Sequence, residues 1–282
     1  MNSNYVYNDP LAVIYNEAHW ILNKMSPMYN LQYDTVKLKQ YAQNIRQAFV
    51  RDIARNSTIE FEVIFEELPT LKYSHEDSNA LMITVTSKST ESTRVDKKTV
   101  YCAILISWGV SITLDGTTHL PYMLERGIKT VGTVVKSTLK TLFDCNIKQC
   151  NFTQRQLLQF CFNFVDNDNS KSTDALILSY DCGSIHKFSL TFEIGDIHTI
   201  WNPIKYENDN EYEAITFAYQ LLQNHMHNSC AFNIAVCDLR GVAIPKAEIR
   251  NNGFVKMKTP ELVNSVFTVL NKITSNLYLD IN

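Results

Sequence analysis

Glycine is scarce in this chain: eight in 282 residues. No glycine-rich phosphate loop and no Gly-x-Ser-x-Gly elbow occurs, so two large groups of nucleotide-binding and hydrolytic folds lose their signature. The seven cysteines include no Cys-x-x-Cys pair, which argues against a zinc ribbon or a dithiol redox motif. An odd set of scattered cysteines in a reducing compartment reads as buried free thiols. Long apolar runs are also missing. The longest, Val100 to Leu114, is interrupted by Ser107, Gly109, Ser111 and Thr113 and is too short to cross a bilayer. The opening MNSNYVYNDPLAV has neither the basic nor the apolar region of a secretory signal. The expectation is a protein of the cytosol or nucleus with no membrane attachment.

Metal and catalytic patterns fail on inspection. Asp166, Asp168, Ser170, Ser172 and Asp174 copy the oxygen spacing of a calcium loop. However, Lys171 stands where the turn needs glycine, and Ile177 where the bidentate glutamate belongs. His225 and His227 are two residues apart and do not share a helix face. Cysteine, histidine and aspartate are all present, but no nucleophile has a recognisable base beside it. No catalytic residue, cofactor or metal is therefore assigned, and the chain is not expected to be an enzyme.

What is present is core material and unevenly placed charge. Hydrophobic residues make up 45% of the chain, enough for one large domain or two small ones. The net charge is only −3, so there is no global attraction to nucleic acid or anionic lipid. Locally the picture differs. Residues 35–55 hold Lys37, Lys39, Arg46, Arg51 and Arg55 against Asp52 alone. Residues 58–77 hold five glutamates or aspartates in excess of Lys72, and residues 236–258 are again basic. Such patches suit partner docking.

Periodicity organises the rest. A segment from about Glu125 to Phe143 reads as a helix, with Ile128, Val131, Val135, Leu139 and Leu142 as its apolar stripe and Lys129, Lys136 and Lys140 beside it. Leu139 is expected at the centre of the buried face. Residues 1–34 read as an aromatic surface arm. A helix over 35–54 follows, capped by Asp34 or Thr35. Strands are expected at Ile59–Phe65, Leu81–Thr86 and Val100–Trp108. Thr153 and Gln156 form a capping box that opens a short helix. The polar stretch 166–174 reads as a domain boundary.

Beyond it, strands are predicted at 175–180, 187–194, 231–239 and 253–258, with strand or loop over 195–201. Helices are predicted from about Asn210 to His225 and from Pro260 onward, and alternating Leu277, Leu279 and Ile281 suggest a last strand. The fold class is α+β: two lobes of antiparallel sheet with helices packed on the faces. The domains are an arm at 1–34, an N-terminal lobe at 35–165 and a C-terminal, partner-pairing lobe at 175–282.

Several short stretches, taken in order, resemble the centromere protein L family. They are His19-Trp20 with Ser26-Pro27-Met28-Tyr29, then Leu38-Lys39-Gln40-Tyr41, then Leu120-Pro121 with Thr141-Leu142-Phe143-Asp144-Cys145. Phe232-Asn233-Ile234 and Gly253-Phe254-Val255-Lys256-Met257 complete the series. The motifs are structural, not catalytic. The resemblance implies a non-enzymatic subunit of the inner kinetochore, nuclear and centromeric. It would pair with centromere protein N through a shared sheet, join other inner-kinetochore subunits, and hold the assembly on DNA or nucleosome. Under that reading Phe254, Val255, Met257, Leu277, Leu279 and Ile281 are candidates for the partner interface. Lys129, Lys136, Lys140, Arg46, Arg51 and Arg55 are candidates for a DNA-facing channel. Without its partner, the same edge would serve a two-fold homodimer. Two other readings stay open: a stand-alone nucleic-acid binder, marked by salt-sensitive DNA binding, and an unrecognised small-molecule enzyme, marked by a deep pocket of converging polar groups.

Overall fold

A computed structural model describes residues 9–17, 19–53, 59–89, 97–110, 115–167, 171–183, 186–230 and 233–279. The chain divides into two compact units, Trp20–Cys150 and Asn151–Asn282, the latter joined by the segment up to His19. The division falls at 150/151. The expected boundary at 166–174 is therefore displaced, and the helix opened by Thr153 belongs to the second unit.

The expected N-terminal arm is not an arm. After a short helix, α1 (Ala12–Tyr15), the chain enters strand β1 (His19–Met25). Trp20 is 1% exposed. The reason is alternation: Trp20 and Leu22 are both buried, and half the strand's side chains carry it into the interior. A short β2 (Met28–Tyr29) leads to α2 (Thr35–Asp52). The Asp34 side chain caps α2, accepting from the Val36 and Lys37 amides at 3.1 and 3.0 Å. Then come β3 (Ile59–Leu68), β4 (Ala80–Ser89), β5 (Lys98–Ile106), β6 (Thr117–Thr118) and β7 (Tyr122–Gly127). Helix α3 (Lys129–Phe143) and β8 (Ile147–Gln149) complete the unit.

Within this unit the strand order is β8-β1-β7-β5-β4-β3, and every pairing is antiparallel. Helices α2 and α3 lie on one face. Leu38, Tyr41, Ile45 and Phe49 of α2 and Val131, Val135, Leu139 and Phe143 of α3 meet Val63, Phe65, Ile83, Val85, Ala103, Leu105 and Met123 of the sheet. Helix α3 starts four residues later than predicted, because Tyr122–Gly127 is drawn into the sheet between β1 and β5. Ile128, predicted on the apolar stripe, becomes the exposed N-cap.

Gly127 makes the strand-to-helix turn possible. Its φ is +118°, and a Cβ there would overlap the Val100 carbonyl oxygen and sit 2.7 Å from Tyr101 Cα. Both the backbone angle and the space exclude a side chain. Gly127→Ala is expected to cost about 3 kcal/mol, read as a lower urea midpoint with an unchanged slope.

In the second unit, α4 (Gln154–Asn167) is followed by β9 (Ala175–Cys182), β10 (His186–Glu193), α5 (Ile194–Glu207) and α6 (Glu211–Cys230). After a 3-10 turn at Ile234–Val236 come β11 (Asp238–Ile244), β12 (Ala247–Arg250), β13 (Phe254–Met257) and α7 (Pro260–Leu279). The strand order β10-β9-β11-β12-β13 is antiparallel throughout. The capping box forms as predicted: the Thr153 hydroxyl accepts from the Gln156 amide at 3.3 Å, and the Gln156 carbonyl from the Thr153 amide at 3.0 Å.

Two predictions fail here for physical reasons. Residues 194–207 are helical, because Ile194, Ile197, Trp201 and Ile204 recur at helical spacing and are all buried. Pro203 sits inside that helix. Leu277 and Leu279 lie on α7, not on a strand, and Ile281 lies outside the described residues. Nothing between Pro260 and Leu279 breaks a helix, and the buried stripe Leu262, Val266, Val269, Leu270 and Ile273 extends it.

The expectation of free thiols holds for Cys102, Cys145, Cys150 and Cys161, which are buried. It fails for Cys182 and Cys237, which form a disulfide between the end of β9 and the residue before β11, with Cα atoms 4.6 Å apart. Fifty-five residues separate them in sequence, and only strand pairing reveals that they are neighbours.

Candidate functional site

The surfaces able to carry function are sheet edges and helix faces. Among the described residues two long strands, one in each unit, end the strand order with a free edge. In the second unit it is β10, which pairs with β9 over its full length, His186 to Glu193. In the first it is β3, which pairs with β4 from Ile59 to Leu68. Such an edge offers a row of free N–H and C=O groups.

The residues expected at the partner interface do not gather at either edge. Val255 and Met257 are fully buried, 0% exposed, so their side chains cannot meet another chain. Phe254 is half-buried under the Arg250 guanidinium, which lies 4.7 Å from its ring centroid. Leu277 and Leu279 are helical, as above. The β10 edge was missed, although its sequence alternates, because a strand's place in a sheet is not written in its period.

The basic candidates separate as well. Lys129 and Lys140 are exposed on α3, and Arg46 on α2. Arg51 is exposed but its guanidinium is 2.8 Å from Asp52. Arg55 lies outside the described residues. Lys136 turns inward. Its ammonium donates to Glu125 Oε1 at 2.5 Å, while Asn23 Nδ2 donates to the same oxygen at 3.0 Å and the Tyr101 hydroxyl to Oε2 at 2.7 Å. Glu125 is 7% exposed, Asn23 1% and Tyr101 2%. The four residues join β7, β1, β5 and α3 through one carboxylate. Gly132 leaves room for them: a Cβ there would come 2.7 Å from the Tyr101 ring and 3.2 Å from Glu125 Oε2. Burial, and then the Glu125 charge, hold the Tyr101 hydroxyl well above its ordinary range.

Grooves offer little chemistry. The one on the open face of the second unit's sheet, about 530 Å³, contains Asp181, Lys187, Arg240, Glu248 and Arg250. Its arginines are paired: Arg240 meets Asp181 at 3.7 Å and Asp238, outside the groove, at 3.1 Å, and Arg250 meets Glu248 at 2.5 Å. A second groove of about 530 Å³ between α2 and α3 is lined by Asn44, Gln47, Arg51, Ser137, Thr138 and Thr141. Burial pushes the Cys145 thiol up to about 11 and those of Cys150 and Cys161 up to about 12. A nucleophile needs the opposite shift. Asp166, the first residue of the calcium-like spacing, accepts from Trp201 Nε1 and Lys205 Nζ, both at 2.8 Å. No group of three or more metal-binding side chains occurs among the described residues. No helix among the described residues is long and apolar enough to cross a membrane.

A search of curated proteins finds no match to the chain. The family model of centromere protein L matches residues 14–278, nearly the whole length. That span takes in both units, the two free edges and the buried Glu125 cluster. The chain belongs to the centromere protein L family, and is thus a structural kinetochore component of the nuclear centromere.

Proposed function

We propose that the chain is a docking subunit that pairs with centromere protein N and helps assemble the inner-kinetochore network on centromeric chromatin. The observation that carries this reading is the free edge of β10. It is eight residues long, antiparallel to β9 throughout, and has no strand on its other side among the described residues. A strand from a partner continues such a sheet by main-chain hydrogen bonds. In the absence of the partner, the same edge supports a two-fold pairing with a second copy.

Proline substitution tests the edge. Consecutive strand residues direct their N–H groups to opposite sides, so one of Ser189→Pro and Leu190→Pro removes an outward N–H and leaves the β9 ladder whole. That variant is expected to melt like the parent and to lose co-purification with centromere protein N. Undiminished binding by the well-folded variant excludes β10.

For DNA, the assembly is expected to use Lys129 and Lys140 of α3, with Arg46 and Arg51 of α2. Each lost phosphate contact lowers the slope of log affinity against log salt by about 0.9 on duplex DNA. Lys129→Ala with Lys140→Ala in the assembled complex should therefore lower it by about 1.8. Lys136→Ala should leave it unchanged, because that ammonium is already held by Glu125. An unaltered slope in the double variant removes α3 from the channel.

A further inference from the structure

The second free edge differs from the first in its charge. Strand β3 carries Glu60, Glu62, Glu66 and Glu67. Its alternation sends Phe61, Val63 and Phe65 toward α2 and leaves Glu62, Ile64 and Glu66 exposed on the opposite face. Lys97 neutralises Glu62 at 2.8 Å. No ion pair among the described residues engages Glu60 or Glu66. Ile64, between them, is 50% exposed. The strand runs ten residues, and its register against β4 advances one for one from Ile59–Ser89 to Leu68–Ala80. No bulge or proline interrupts it, the devices that commonly close an edge to addition.

The helix side of this edge is different again. The Phe49 ring lies 4.8 Å from Phe61 and fixes the end of α2 over β3. Asn44, Gln47 and Arg51 face α3 across a groove. At about 100° per residue, Ile53 falls on the flank turned away from α3, and Val50 lies between that flank and solvent. Val50 is 64% exposed and Ile53 36%. An unpaired strand edge thus has bare aliphatic side chains on one side and carboxylates on the other.

We propose that β3 accepts, as an added strand, an extended segment of another polypeptide in which basic and apolar residues alternate. The main chain of the guest fills the free N–H and C=O row. Its apolar side chains go under the flank of α2 that ends in Ile53, and its lysines or arginines meet Glu60, Glu62 and Glu66 on the other face. A second copy of β3 is a poor guest. Two-fold antiparallel pairing keeps like faces together and sets carboxylates against carboxylates. The charge therefore selects a heterologous, basic strand. This site lies on a different unit from β10 and stands independently of the pairing with centromere protein N.

The test uses the full chain and labelled synthetic peptides of about nine residues. A peptide of alternating lysine and valine is expected to bind and to slow amide exchange across residues 59–68. The Glu60→Lys, Glu66→Lys variant, altered only at exposed side chains, should bind it about tenfold more weakly or worse. Three control peptides, of two kinds, separate strand addition from charge alone. One has the same composition with lysines and valines in blocks; the other carries N-methyl groups on alternate residues, made in both registers. The blocked peptide and one N-methylated register should each lose about tenfold or more in affinity. Equal binding of all four peptides would mean a diffuse electrostatic contact and overturn the proposal. So would the absence of binding by the alternating peptide, or protection confined to residues outside β3.

Discussion

Leu139→Asp is expected to prevent the Trp20–Cys150 unit from folding at neutral pH. Leu139 is 0% exposed, midway along α3 and within the cluster that holds both helices to the sheet. Losing the leucine forfeits about 2–3 kcal/mol of apolar burial. Placing a carboxyl there adds several kcal/mol more, whether it is ionised or kept neutral. The sum is comparable with the whole stability of a domain, about 5–15 kcal/mol. The pH dependence has a definite sign. Burial raises the carboxyl's folded pKa above the unfolded value of about 3.9, so the folded state binds more protons and stability falls as pH rises above about 4. The measurement is the urea midpoint of the variant across that range, beside the soluble yield at pH 7. A cooperative transition at pH 7 close to that of the parent would place Leu139 on the wrong face.

Glu125→Ala comes second in size, at about 3–5 kcal/mol. The carboxylate accepts from Lys136, Asn23 and Tyr101 at once. Removing it leaves an ammonium and two polar groups without their acceptor in a space where water has little access. The side chain of Lys136 is 25% exposed, so it relieves part of the cost by swinging outward. The double variant Glu125→Leu, Lys136→Met is expected to recover most of the loss, since an apolar pair of similar volume removes both charges together. Thermal and urea unfolding of the two variants side by side decide the matter. If the single variant matches the parent, the network contributes little to holding α3. Lys136→Ala offers a link to function: it should lower stability while leaving the salt dependence of DNA binding in place.

These residues show where sequence reasoning reaches and where it stops. Helix α2, with its Asp34 cap, the capping box at Thr153 and Gln156, and strands β3, β4 and β5 are legible because each depends on residues within a few positions of one another. Leu139 as a core residue follows from the same local period. The family resemblance was legible too, since its motifs are short and ordered along the chain. Lys136 was not. On a helical wheel it is equivalent to Lys129 and Lys140, and only the approach of Glu125 from another strand distinguishes it. The Cys182–Cys237 pair was missed for the same reason.

The sequence by itself determined an α+β chain with no motif for catalysis or for a metal, an uneven charge and a kinetochore family. Tertiary structure decided which strands lie at edges. Alternation marks a strand and its buried face, but edge position depends on which strand comes alongside, often from far away in sequence. Residues 19–25 read as an arm until β7 and β8 pair with them. Of the candidate interface at 254–257, Val255 and Met257 prove to be core. Hydrogen bonding across a sheet is lateral, whereas sequence period runs along the strand. The period therefore assigns each side chain a face and leaves each strand's neighbours to be settled by the fold.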